Sequence, residues 1–132
     1  MTPQQVVTLI NESPMNRGMD GREWYYTPGN IAASNGEGDV ILFQLSAPGL
    51  YEFHWLRMQT KGRKAINETL EAIDRVFRDT DCAIMFGLVP VDRRDSKFMA
   101  RWIGAKSMGV VPTLDGPAEM FIMTREMRHG VS

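Results

Sequence analysis

Leu50-Tyr-Glu-Phe-His-Trp-Leu-Arg-Met58, Gln59-Thr-Lys-Gly-Arg-Lys-Ala65 and Ile66-Asn-Glu-Thr-Leu-Glu-Ala-Ile73 follow one another without interruption. The first stretch carries aromatic and aliphatic residues in strand-like density. The second is basic and holds a glycine. In the third, the apolar residues Ile66, Leu70, Ile73 and Phe77 recur at helical spacing, with Lys64, Glu68, Glu71, Asp74, Arg75 and Arg78 on the remaining positions. The reading is a strand, a basic loop and a long amphipathic helix ending near Asp79-Thr80-Asp81.

Upstream, Val40 to Leu45 reads as a strand, and Ala47-Pro48-Gly49 as a tight turn that makes a hairpin with Leu50–Met58. Asn30 to Asp39, rich in Gly, Asn and Ser, reads as a turn region. Glu23-Trp-Tyr-Tyr26 is expected as a strand or as a floor under the sheet. Pro3 to Ile10 reads as an opening helix with Thr2 as its cap and Pro3 in the first turn. Asn11 to Gly21 reads as a loop, with Met15 and Met19 as anchors. Downstream, the apolar run Cys82–Val89 is expected as a strand buried on both faces. A helix is expected from Asp92-Arg-Arg-Asp95, with Phe98, Met99, Trp102 and Ile103 on its apolar face and Gly104 as its stop. Strands around Lys106–Val111 and Glu119–Thr124 complete the chain.

The 132 residues fit a single domain, 1–132, with 43% hydrophobic and 23% charged residues. A net charge of −1 gives no reason to invoke nucleic acid or a membrane surface. The charge is uneven: up to Thr60 there are three basic residues, Arg17, Arg22 and Arg57, against six acidic ones, leaving twelve of the fifteen Lys and Arg residues for the second half. That half suits an anionic ligand. Arg93, Arg94, Lys97 and Arg101 fall on one helix face. The single cysteine, Cys82, reads as a buried core thiol rather than a nucleophile. Two histidines and one cysteine, widely spaced, make no metal motif. The N-terminus lacks a basic segment followed by an apolar run, so a cytoplasmic location is expected.

The strand, the loop Gln59-Thr-Lys-Gly62-Arg-Lys-Ala65 and the long helix resemble the GNAT acetyltransferases, in which a strand enters a loop of the type (Arg/Gln)-x-x-Gly-x-(Gly/Ala) that opens a helix. Phe98-Met-Ala-Arg-Trp-Ile-Gly104 and the last strand, Glu119-Met-Phe-Ile-Met123, are similar to divergent phage-type members. The resemblance covers roughly Val40 to Met127. It implies an α/β (α+β) fold with a mixed, mostly antiparallel twisted sheet flanked by helices. It further implies acetyl-CoA as co-substrate and an amine as acceptor. Backbone groups of Leu56, Arg57 and Met58 would pair with the pantetheine arm. The loop residues Lys61, Gly62, Arg63, Lys64 and Ala65 would hold the pyrophosphate. Arg93, with the basic helix face, would meet the 3′-phosphate. Backbone N–H groups at a helix start, with their dipole, suit such a phosphate group.

Glu52 and His54 alternate with Phe53 and so share one strand face. They are the candidates for accepting the amine proton. The departures from the family pattern are Ala100, where a Tyr acid is usual, Arg93 for an Asn, and Lys64 for a second Gly. A GNAT-fold protein without turnover, binding a protein partner or belonging to a phage particle, is the alternative expectation.

Overall fold

The computed structural model describes residues 1–13 and 20–129. The expected anchors Met15 and Met19 lie outside the described residues. The elements follow in the order α1 (Pro3–Glu12), α2 (Gly21–Tyr26), β1 (Ile31–Ser34), β2 (Val40–Ala47), β3 (Leu50–Arg57), α3 (Gly62–Asp79), β4 (Ile84–Pro90), α4 (Arg94–Trp102), β5 (Lys106–Thr113), β6 (Gly116–Thr124) and α5 (Arg125–His129). The strands form one sheet in the order β1-β2-β3-β4-β6-β5. Every neighbouring pair is antiparallel except β3 and β4, which are parallel and connected through α3. This is the mixed, mostly antiparallel α/β sheet expected from the sequence.

Local chemistry explains most boundaries. Thr2 and Gln5 form a reciprocal capping box at the start of α1, with Pro3 in the first turn. Asp20 caps α2 through the Arg22 N–H at 2.9 Å. Thr80 is the C-cap of α3, and α4 is followed, after its C-cap Ile103, by Gly104, whose φ of +88° lies in the region that glycine enters most readily.

Two apolar layers sandwich the sheet. On one face Phe43, Tyr51, Phe53 and Met85 pack against Ile73, Val76 and Phe77 of α3. Val89 and Phe121 meet Ala100 of α4 on that same side. On the other face Val40 and Leu42 pack against Val6 and Ile10 of α1 and Trp24 of α2. Cys82 is fully buried in the α3-side core, and burial pushes its thiol up to about 11, so it is an inert core thiol as expected.

Four expectations need correction. Glu23–Tyr26 is helical, not a strand, although Trp24 does lie under the sheet as a floor. The turn region Asn30–Asp39 contains β1, which pairs along β2 from Ile31↔Phe43 to Ser34↔Val40. The run Cys82–Val89 is not buried on both faces: Ile84 is 40% exposed and Phe86, Gly87 and Leu88 are half-buried, because β4 lines a cleft. Finally, Phe98 and Trp102 do not enter the core. They are 53% and 54% exposed and stack on each other at 4.7 Å, while Ala100 and Ile103 face inward.

Candidate functional site

Strands β3 and β4 hold together over only three register pairs, Leu50↔Ile84, Tyr51↔Met85 and Glu52↔Phe86. Beyond them the strands part. β3 continues on the β2 side, and β4 continues on the β6 side, paired from Ile84↔Thr124 to Pro90↔Ala118. The opening holds a cavity of about 300 Å³ whose walls include Trp55, Leu56, Gly87 and Val89. A crevice at the carboxyl ends of parallel strands is the place where open α/β sheets bind ligands. Near the opening, β3 carries a bulge at Leu56, seen as the register step between Arg57↔Val40 and Trp55↔Ile41. Bulges re-aim the chain at such sites. The parted edges leave backbone N–H and C=O groups that no strand of the sheet takes up, so an extended ligand can add there as a strand would.

Each parting strand leads into a helix. β3 runs through Met58–Lys61 into α3. β4 runs through residues 91–93 into α4. The N-terminus of α3 has an unusual chemistry. Its N-cap, Lys61, makes no side-chain capping bond, and its first turn carries no acidic residue. The first N–H groups of a helix have no acceptor within it, and their dipole favours a negative charge. Here Lys61, Arg63 and Lys64 stand at that positive end, all exposed. Three cations at a helix N-terminus are unfavourable unless an anion joins them. Gly62 has φ of +64°, and a Cβ built there would touch nothing. Glycine is thus chosen by the backbone conformation and not by crowding.

The basic cluster is partly neutralised. Lys64 Nζ pairs with Glu37 Oε1, from the turn between β1 and β2, and this bond is the main reason the Lys64 pKa is raised. Ala65 is buried and turns the helix into the core.

On the α1/α2 face of the sheet, Glu52 and His54 do share a side, as expected. Their cross-strand partners are Gln44 and Leu42. His54 Nε2 lies 3.0 Å from Glu52 Oε2, and the His54 side chain is 36% exposed. His54 lines the cavity together with Trp24 and Gln44. Trp24 donates its indole N–H to Gln44 Oε1 at 3.0 Å, which fixes that wall. The Glu52 carboxylate beside Nε2 orients the ring. The opposite wall is one face of α4. Arg93, Ser96 and Ala100 all line the cavity, at spacings of three and four residues. Ala100 is buried and offers no proton.

The structure thus brings His54, Leu56 and Arg93 to one cavity and places Glu52 behind His54. The loop residues Lys61, Gly62, Arg63, Lys64 and Ala65 form the helix start beyond the end of β3, outside the cavity walls; Arg57 and Met58 precede them. Sequence reasoning did not single out Trp24, Gln44 or Asp39 as part of this region. Asp39 is 3% exposed and accepts hydrogen bonds from the loop entering α3, at Gln59 and Thr60. No local pattern announces a contact across twenty or more positions. Among the described residues no cluster of His, Cys, Asp and Glu is arranged to hold a metal ion, and no helix is long and apolar enough to cross a membrane.

No protein-family model and no curated protein matches the sequence. Solved structures do match the fold. An aminoglycoside acetyltransferase, AAC(6')-Ib, solved with coenzyme A and kanamycin, aligns over 96% of this chain and 93% of its own, with a TM-score of 0.68 and 18% identity. The same enzyme solved with coenzyme A alone gives a TM-score of 0.70 at 16% identity, over 96% of this chain and 93% of its own. A spermidine N-acetyltransferase, SpeG, from Vibrio cholerae aligns over 76% of this chain and 67% of its own, with a TM-score of 0.62 and 10% identity. In its strand order, in its parted parallel pair and in these superpositions, the chain has the fold of the GNAT acetyltransferases.

Proposed function

We propose that the protein is an N-acetyltransferase that moves an acetyl group from acetyl-CoA to an amine. The observation that carries this reading is the parting of β3 and β4 after three register pairs, with an uncapped, cationic helix start at the end of β3. The structural neighbours solved with coenzyme A support the same reading. The pantetheine arm would lie against β3 and hydrogen-bond the backbone of Leu56, Arg57 and Met58, as an added strand does. The pyrophosphate would sit on the amides of Gly62 to Ala65, with Lys61, Arg63 and Lys64 supplying charge. Arg93, on the facing helix, would take a second anionic group of the cofactor.

Acetyl transfer then needs positioning and proton movement. The amine nitrogen attacks the thioester carbonyl, the C–N bond forms, and the C–S bond breaks. His54 accepts the amine proton, directly or through a water, and Glu52 stabilises the imidazolium. The departing thiolate takes its proton from water, since Ala100 has none to give. The acceptor enters from the α1/α2 side, past Trp24 and Gln44.

Thermal denaturation with and without acetyl-CoA tests the cofactor site. A rise in melting temperature that is lost in a Lys61→Glu, Gly62→Asp double variant supports it; no shift at millimolar acetyl-CoA overturns it. Thioester loss followed across a panel of amines then tests turnover. A second reading, a binding protein without turnover, is favoured by Ala100 at the position where the family's acid is usual. Cofactor binding without acetyl transfer to any amine would establish that second reading.

A further inference from the structure

The turn between β1 and β2 holds an ionisable network that the transfer chemistry does not use. The Asp39 carboxylate, 3% exposed, has all its acceptor positions taken. Oδ1 accepts from the backbone N–H groups of Gln59 and of Thr60, the latter at 3.0 Å. Oδ2 accepts from the Thr60 hydroxyl at 2.5 Å and from the Asn35 amide at 2.9 Å. Asn35 in turn uses its own carbonyl oxygen to accept from the N–H groups of Glu37, at 2.9 Å, and Asp39, at 3.0 Å. From the same turn, Glu37 pairs with Lys64 in the first turn of α3. One five-residue turn therefore grips the segment entering α3 on both sides of Gly62.

We propose that Asp39 is a positioning residue for the cofactor loop, holding Gln59 and Thr60 so that the N-terminal amides of α3 are fixed in advance for a pyrophosphate; this rests on the acetyl-CoA reading above. A buried carboxylate is costly unless it is fully hydrogen-bonded. Burial raises the Asp39 pKa, but the bonds from the Thr60 hydroxyl and amide, the Asn35 amide and the Gln59 amide outweigh it and leave it lowered. The group is therefore an anion at neutral pH. It takes up the N–H groups of Gln59 and Thr60 and leaves the helix's own to the ligand. Binding to a loop held in its bound shape loses less ordering entropy.

Two measurements on the intact protein separate this proposal from the acetyl-CoA reading. Hydrogen–deuterium exchange without ligand reads the loop itself, and calorimetric titration with coenzyme A reads its consequence. In Asp39→Asn, amides of residues 59–64 should exchange about tenfold faster or more, and the coenzyme A Kd should rise by about the same factor, the size expected from losing a charged hydrogen bond. The kcat at saturating acetyl-CoA should change little, so the defect appears in KM for acetyl-CoA and not in KM for the amine. Thr60→Val, which removes only the hydroxyl bond, should move both readouts the same way by less. It also serves if Asp39→Asn does not fold. Asp74→Asn removes a carboxylate elsewhere on α3 and should lower stability without moving the Kd. Wild-type binding with an unchanged Kd in Asp39→Asn and Thr60→Val overturns the positioning role, whatever the exchange rates. Absence of coenzyme A binding by the wild type overturns the acetyl-CoA reading, and the role of Asp39 toward that ligand with it.

Discussion

Arg125 shows how much of the fold one side chain can secure. Its guanidinium donates to the carbonyl oxygens of Phe77, of Thr80 at 2.9 Å and of Cys82 at 2.6 Å, and lies 5.6 Å from the centre of the Phe77 ring. Those carbonyls belong to the end of α3 and the turn after it, where helix carbonyls lack partners and a cation is favoured. Arg125→Ala should therefore destabilise the protein by about 2–3 kcal/mol in urea denaturation, through three carbonyls stripped of a charged donor. Arg125→Lys should recover only part of this, because a single ammonium lacks the planar fork that reaches all three. A second residue-scale case concerns pH. The bidentate bonds from Arg128 to Asp74, both 2.8 Å, are the largest reason the Asp74 pKa is lowered. A carboxyl whose folded pKa lies below its unfolded value adds stability above the unfolded value, about 4. That contribution is lost as pH falls through the folded value. The stability difference between wild type and Asp74→Asn should thus shrink as pH falls below about pH 4. A difference that grew below about pH 4 would contradict the assignment.

At the level of elements, α3 was legible because its apolar residues keep one period from Ile66 to Phe77, about three turns. The structure places Ile73 and Phe77 at 1% and 0% exposure, as that period demands. Phe77→Ala should accordingly cost about 3–5 kcal/mol by thermal or chemical denaturation, the range for a large core side chain. The hairpin of β2 and β3 was legible for a similar reason, a turn of the Ala-Pro-Gly kind between two apolar runs. Other elements carry too little local signal. β1 is four residues, Ile31-Ala-Ala-Ser34, and acquires its identity only by pairing with β2. α2 is six residues long, and its aromatic run suits a strand by propensity; the Asp20 cap and the burial of Trp24 decide otherwise. α4 has the period of an amphipathic helix, but two candidate faces. The small Ala100 faces the sheet, where the cavity needs room, and the larger Phe98 and Trp102 face solvent. A preference for large residues in the core selects the wrong face. Gly62 offers a test of element-scale strain. Its φ of +64° is the cost of entering α3 at that angle, and a Cβ there meets no neighbour. Gly62→Ala should lower stability by about 1–2 kcal/mol through conformational strain alone, measured by urea denaturation.

For the molecule as a whole, the decisive feature is a sheet nearly divided in two. One half, β1 to β3 with α1 and α2, contains six of the sixteen acidic residues and three basic ones up to Thr60; the other half carries most of the cations. The halves meet through the three pairs of β3 and β4, through α3, and through the core it covers. None of this division is written locally, because the separation of β4 from β3 depends on which strand each takes as its other neighbour. The candidate base pair, Glu52 and His54, was visible as an alternating pattern on one strand, whereas the wall facing it came from α4, some forty residues later. A ligand lying in the cleft would touch both halves, and its binding energy would appear as global stability. At acetyl-CoA a hundredfold above its Kd, the linkage relation gives about 2.7 kcal/mol of added stability. That gain should be accompanied by slowed hydrogen exchange on both sides of the cleft, at residues 56–58 and 61–65 on one side and 87–89 on the other. It should weaken as salt is raised, because Lys61, Arg63 and Lys64 are exposed and a Debye length of about 8 Å at physiological ionic strength already screens them. Protection confined to one side, or a gain indifferent to salt, would mean that the ligand does not bridge β3 and β4 over the cationic helix start.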